Sequence, residues 1–384
     1  MPANQPQRPP GRPEQIATRI VFFIAGFGMA AWAPLVPFAK ARAQLDDGAL
    51  GLLLLCLGAG SIAAMPAAGI LAARWGCRIV IVVATLLFCL ALPLLAGLSG
   101  FAGLTAALLV FGAGVGSLDV AMNIQAVIVE RASGRTMMSG FHGLFSLGGI
   151  VGPGFVAILL ALGASPAQAA WGVVAGIVLA LVCAAPHLLA YGSRTDGPAF
   201  AIPRGIVLWI GLLCFVVFLA EGSLLDWSAV FLTSVHGMDP ARAGLGYAAF
   251  ACTMTAGRLT GDRVVNRFGP VRIVAIGGTC AAAGVVLATM GPFWEAAIAG
   301  YALVGAGCAN IVPVLFSATG RQRDMPENVA IPAITTLGYA GILAGPAGIG
   351  FLAHVFSLKV AFLVLAALLL GVAAGSVRLR GLAR

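Results

Sequence analysis

Apolar runs, each close to 20 residues or longer and separated by short polar turns, set the pattern of this chain. Twelve can be counted, over residues 18–39, 49–72, 79–98, 101–128, 138–163, 169–190, 206–233, 243–262, 271–291, 294–318, 329–354 and 358–379. A helix needs roughly 20 apolar residues to cross the hydrocarbon core of a bilayer. Lipid offers no partner for an open backbone, so helices are the expected element throughout. The pattern predicts an all-α integral membrane protein with twelve transmembrane helices. Residues 1–17, rich in Pro, Gln and Arg, are expected to form a disordered tail. The apolar run after them is too long, and followed by too many others, to be a cleaved signal.

The runs also repeat. A shift of 193 residues places Arg74-Trp75-Gly76 on Arg267-Phe268-Gly269, Gly112-Ala113-Gly114 on Gly305-Ala306-Gly307, and Gly152-Pro153 on Gly345-Pro346. Six spans per repeat is an even number, so the two copies point the same way. The expected organisation is two parallel six-helix repeats: a first bundle over 18–190, a linker over 191–205, and a second bundle over 206–384 with a short tail. Parallel repeats of this kind build one large class of transporters, with the binding site at the interface between repeats.

Composition agrees with a membrane protein. The chain is 60% hydrophobic and 9% charged, where a soluble domain carries about 25% charged residues. The 52 glycines fit helices that approach closely within lipid. The net charge of +9 raises nucleic acid as a partner, but its distribution argues for topology instead. With the N-terminus inside, the tail and inner loops hold 17 Arg, against 4 basic residues (Lys40, Arg42, Arg242 and Lys359) in the outer loops, and Arg258 lies within a span. The positive-inside rule then puts both termini in the cytoplasm, in a cell (inner) membrane, with the bilayer and not a nucleic acid as the macroscopic partner. The eight cysteines are scattered, without C-x-x-C pairs, and are read as small buried hydrophobes. No P-loop lysine, H-E-x-x-H or G-x-S-x-G pattern stands in the chain, so neither ATP-driven transport nor common hydrolase chemistry has support, and no cofactor or metal is expected. The Gly112-x-Gly-x-Gly run imitates a nucleotide loop but sits inside a span.

Gly69-Ile70-Leu71-Ala72-Ala73-Arg74-Trp75-Gly76-Cys77-Arg78, after the second span, resembles the signature loop between helices two and three of the major facilitator superfamily (MFS). Gly69, Arg74, Gly76 and Arg78 match it. Ala73 stands where the signature has Asp, and Cys77 where it has a basic residue. Within that superfamily the chain is most similar to the fucose-permease-like branch. The stretches concerned are Asp119-Val120-Ala121-Met122-Asn123, Gly140-Phe141-His142-Gly143, Glu221-Gly222-Ser223-Leu224-Leu225-Asp226-Trp227, Gly257-Arg258-Leu259-Thr260-Gly261-Asp262 and Asn310-Ile311-Val312-Pro313. The resemblance implies the MFS fold and a proton-coupled carrier of a small polar solute that works by alternating access. Its loop residues Arg74, Gly76 and Arg78 are then expected at a cytoplasmic gate. Gly148 to Pro153 partly resembles an antiporter signature, but the same pattern recurs at Gly341 to Pro346 and reads as shared helix packing.

Polar residues within the spans carry the candidate chemistry. Asp119 lies in the fourth span, where a charged side chain is expensive by about 3 kcal/mol on insertion scales. Gly112, Gly116, Asp119 and Asn123 share one helical stripe, so Asp119 and Asn123 are expected to face the bundle interior. Asp119 is the first candidate for proton coupling; the alternative is an acid locked by hydrogen bonds to Asn123. Glu221 is the second candidate, and His142 a possible relay. Asp226 stands five residues beyond Glu221, about 140° around the helix, and so in different surroundings. Asn310 and Asn123 offer amides, and Trp32 and Trp227 flat rings, for a substrate cavity that Asp226 could also touch. Arg258 and Asp262, four apart, suit an intrahelical ion pair that locks the cytoplasmic gate.

The expectation is therefore a secondary active transporter of a small polar, sugar-like solute, with protons as the coupling ion. Alternatives are a proton-driven exporter of amphipathic compounds, with a wider and more apolar cavity, and a non-transporting membrane sensor. An enzyme lacks a recognisable constellation.

Overall fold

The computed structural model describes residues 9–193, 202–239 and 242–382, and every regular element among them is helical. In chain order the long helices are α1 (Arg12–Ala30), α2 (Asp47–Trp75), α3 (Cys77–Gly97), α4 (Phe101–Ser133), α5 (Met138–Ala161) and α6 (Pro166–Ala184). The second six are α7 (Gly205–His236), α8 (Leu245–Phe268), α9 (Pro270–Met290), α10 (Trp294–Cys308, resuming as Ile311–Thr319), α11 (Glu327–Val355) and α12 (Leu358–Gly375). Among the described residues 11 spans are long and apolar enough to cross a membrane. The remaining one, α8, is 24 residues long but carries Arg258, Asp262, Arg263 and Arg267, which lower its hydropathy.

Several helices run past the apolar segments that announce them. Of the tail expected to be disordered, residues 1–8 lie outside the described residues, but residues 12–17 are the first turns of α1. Pro13 stands in the first turn, and the Glu14 carboxylate accepts the Gly11 N–H at 2.6 Å, so the start is capped by the polar residues that suggested disorder. At the other extreme α4 continues to Ser133 before a left-handed Gly134 ends it. Once the bilayer holds a helix, each added residue contributes a hydrogen bond without a new nucleus. Residues 194–201 of the expected linker lie outside the described residues.

The 193-residue repeat is visible as a repeated set of helix contacts. α1 packs on α5 as α7 packs on α11; α2 on α4 as α8 on α10; α3 on α4 as α9 on α10; α3 on α6 as α9 on α12. The two halves then meet through α5 against α8 and α2 against α11, contacts that exchange under the same shift. Two glycine pairs show why the repeat persists in sequence. A side chain on Gly112 would strike the backbone of Leu57, and one on its mate Gly305 the backbone of Phe250, itself 193 residues beyond Leu57. Gly76 and Gly269 both turn the chain with positive φ, 87° and 80°, a conformation that L side chains resist.

Arg131, Arg135 and Arg321 stand together at the ends of α4 and α10. There the halves are tied together. The Arg131 guanidinium, at the end of α4, donates to the Gly320 carbonyl at 2.6 Å and pairs with Glu327 of α11. Glu130 beside it accepts the N–H groups of Met137 and Met138 at 2.7 and 2.8 Å, which fixes the turn into α5. The Asp262 carboxylate accepts the Gly140 N–H at 3.1 Å, and the Thr136 hydroxyl donates to the Asp262 carbonyl.

Candidate functional site

A cavity of about 340 Å³ lies between the halves, walled by α1, α4 and α5 of the first and α7, α8, α10 and α11 of the second. Asp119, His142, Ser146, Glu221, Thr255 and Arg258 give it polar surface, and Tyr247 and Tyr339 add two of the chain's four tyrosines. Met29, Met122, Met254, Phe145, Phe218, Phe250 and Phe316 supply most of the remaining wall.

Arg258 is the best-connected group there. Its guanidinium donates to Glu221 of α7 at 3.1 Å, to the Ser146 hydroxyl of α5 at 2.8 Å and to the Ala309 carbonyl of α10 at 3.3 Å. One buried side chain thus joins three helices and both halves. This corrects the expected pairing with Asp262. The spacing of four allows that pair, but an exposed pair of this kind contributes only about 0.3–0.5 kcal/mol. A guanidinium within the bundle needs a counter-charge and full hydrogen bonding far more, and Glu221, Ser146 and Ala309 provide both. The carboxylate of Asp262 instead holds α8 to α5 through Gly140. Its second oxygen has no partner among the described residues.

Asp119 borders the cavity from α4, where its carboxylate takes one long hydrogen bond, 3.4 Å, from the Asn123 amide. Asn123 donates more closely to the Asp119 carbonyl, at 2.8 Å. His142 lies four residues before Ser146 on the same face of α5, between the rings of Phe22 and Phe316 at 5.3 and 5.6 Å. Its Nε2 has no partner among the described residues.

Five side chains expected in the cavity do not border it. Asn123 is fully buried within helix packing. Asn310 sits at the break of α10 and donates to the Gly257 carbonyl of α8 at 3.1 Å, so the amide ties α10 to α8 and does not border the cavity. Trp32 is buried beside the break that ends α1. Trp227 donates to the Pro346 carbonyl at 3.0 Å and lies against Gly350, which docks α7 on α11. Asp226 is exposed, turned away from Glu221 as its spacing required. The signature-loop residues likewise make local contacts. Arg74 is exposed over the ring of its neighbour Trp75, as its mate Arg267 is over Phe268. Arg78 donates to the carbonyls of Pro186 and Leu188 beyond α6, and Gly76 packs against the backbone of Ala190. The contacts across the halves come from Arg131, Glu327, Thr136 and Asp262 instead.

Arg258 as a cavity residue, Ser146, Tyr247 and Tyr339 escaped the sequence reading. No spacing within one helix marks them, and the repeat sets unlike residues at the mate positions. Under the 193 shift Asp119 falls on Val312, Glu221 on Gly28, Arg258 on Met65 and Ser146 on Tyr339.

Two matched six-helix repeats around a central cavity, with charge buried at their interface, define a multi-pass membrane transporter. Residues 20–320 match the family model of the Major Facilitator Superfamily. An uncharacterized MFS-type transporter of Yersinia pestis is 58% identical over 368 residues, 96% of this chain and 96% of that protein. The membrane protein MosC of Rhizobium meliloti is 33% identical over 373 residues, 94% of this chain and 89% of that one. A solved structure of the E. coli fucose:proton symporter FucP superposes with a TM-score of 0.78 at 16% identity, covering 95% of this chain and 98% of that one. The chain belongs to the Major Facilitator Superfamily, and its fold is fucose-permease-like.

Proposed function

We propose that the protein is a proton-coupled secondary transporter of a small organic solute, working by alternating access. It lies in the inner membrane with both termini in the cytoplasm. The observation that carries this reading is the Arg258 bridge to Glu221 and Ser146 beside a cavity that also holds Asp119. A bridge between halves at the cargo cavity gives cargo a direct means of altering how the halves meet. Asp119, whose carboxylate has one long hydrogen bond among the described residues, is the group we assign to carry the proton, with Glu221 the second and His142 a relay that borders the same cavity. The ties at Arg131–Glu327 and Asp262–Gly140 close the cytoplasmic end, so the state described is read as outward-facing.

The volume, about 340 Å³, is at the small end of the roughly 300–1,000 Å³ usual for small-molecule sites. A small polar solute, sugar-like in size, suits the polar groups and the tyrosines, and FucP is a fucose:proton symporter. A second reading, export of amphipathic compounds, has a specific observation in its favour. The amides and indoles expected to contact a sugar lie outside the cavity, and methionine and phenylalanine side chains line much of it. Met surfaces adapt to varied apolar shapes.

A thermal-shift screen on the purified protein with sugars, sugar acids and amphipathic cations separates these readings, because a ligand of the native state stabilises it by mass action. Shifts confined to one polar class support the carrier of polar solutes; shifts from many unrelated cations support the exporter. With a ligand in hand, Asp119→Asn is expected to abolish accumulation driven by a pH gradient in proteoliposomes while counterflow exchange persists. Undiminished accumulation in that variant would remove Asp119 from the mechanism.

A further inference from the structure

A second cavity, of about 310 Å³, opens at the arginine-rich end. The end of α4 and the α4–α5 turn wall one side of it, and the ends of α8 and α10 the other. It shares no lining residue with the central cavity. Arg131, Arg135 and Arg321 border it together with Asn266 and Ser317. Arg131 is already engaged by Gly320 and Glu327. Arg135 and Arg321 are exposed, and among the described residues neither guanidinium has a carboxylate partner. One acid, Glu130, also borders the cavity, with one oxygen held by the Met137 and Met138 N–H groups. Two unpaired guanidinium groups against one carboxylate leave the cavity net positive.

Guanidinium forks match the oxygens of a phosphate group two at a time. The Ser317 hydroxyl and the Asn266 amide add neutral donors on the same wall. We propose that this cavity binds a phosphate-type oxyanion across the two halves. Because its walls come from both halves, a bound anion favours the arrangement in which this end is closed. The proposal is independent of the cargo and of proton coupling. The anion is either a soluble phosphate compound or the headgroup of an anionic lipid, and both present the same chemistry to Arg135 and Arg321.

The test is thermal unfolding of the full chain in uncharged detergent, at fixed ionic strength made up with chloride, since unspecific attraction is screened by salt. One arm titrates inorganic phosphate, the other short-chain phosphatidylglycerol, with phosphatidylcholine as the uncharged lipid. At saturation a rise of about 2 °C or more is expected. The rise is lost in Arg135→Gln/Arg321→Gln and kept in Arg204→Gln, a basic residue outside the cavity. A rise with phosphate assigns a soluble ligand; one with phosphatidylglycerol alone assigns a lipid headgroup. No rise in either arm, or a rise that survives in the double variant, overturns the proposal. Should the double variant lose its fold, the two single variants are read in its place, each expected to weaken the response.

Discussion

The two halves of the molecule share a scaffold and differ in chemistry. Helix contacts in the first half recur in the second with the same partners, and the glycines that allow them recur at the same offset. At the cavity the correspondence ends. The first half contributes Asp119, His142 and Ser146; the second contributes Glu221, Arg258, Tyr247 and Tyr339. Duplication supplies a hinge-like architecture in which each half packs alone and meets the other along two matched seams. The scaffold is duplicated, and the side chains that border the cavity are not. The charged pair lies within one half, while the bridge from Arg258 to Ser146 crosses to the other.

The largest effect is expected from making the halves alike at that bridge. Arg258→Met installs the residue found at the mate position, Met65, and leaves Glu221 without its cation. Removing one member of a buried pair costs about 3–5 kcal/mol, so a marked fall in unfolding temperature and at least about a tenfold loss of counterflow are expected. Adding Glu221→Gln should restore much of the stability, since no stranded charge then remains, but not the transport. This double-mutant cycle reads the coupling directly. Single and double variants of equal stability would mean that the pair is not a structural bridge.

Much of the scaffold was legible because bilayer length and glycine spacing leave few choices. Twelve apolar runs translate into helices with little ambiguity, and the 193 shift implies that the contacts of one half recur in the other, as they do. The polar residues were harder. Asn123, Asn310, Trp32 and Trp227 look like cavity residues in sequence because polar and aromatic groups in spans are rare. Helix-to-helix packing, however, has its own use for such groups: Asn310 of α10 donates to the Gly257 carbonyl of α8, and Trp227 of α7 to the Pro346 carbonyl of α11. Arg258 misled for a related reason. Spacing of four gives a partner on the same helix, but Ala309, Ser146 and Glu221 come close only through packing of α10, α5 and α7, which no local spacing records. Asp119 and Glu221, singled out as acids within spans, do border the cavity, and the 193 shift sets Val312 and Gly28 at their mate positions.

A smaller and more symmetrical effect is expected at the paired glycines. Gly112→Ala and Gly305→Ala each place a methyl group against backbone, of Leu57 and Phe250 respectively. Overpacking of this kind costs about 1–3 kcal/mol. If the halves are equivalent as scaffolds, the two variants lower the unfolding temperature by similar amounts. A large loss at one and none at the other would show that the halves differ in packing as well as in chemistry.

The smallest effect compares the two tryptophans near the far end of each half's first helix. Trp227 donates its indole N–H to the Pro346 carbonyl, while the Trp32 N–H has no partner among the described residues. Trp227→Phe therefore loses a hydrogen bond and leaves a carbonyl less satisfied, for an expected cost of about 1 kcal/mol. Trp32→Phe removes a buried donor that is already unpaired, so it is expected to leave the unfolding temperature unchanged or slightly raised. Neither ring borders the cavity, so neither change should move the affinity of a ligand found by the thermal-shift screen by more than about twofold, a difference of some 0.4 kcal/mol. A tenfold loss of affinity in Trp32→Phe alone would mean that the unpaired N–H is held for cargo in another state of the cycle, and the first half would then carry more of the recognition than its cavity side chains now suggest.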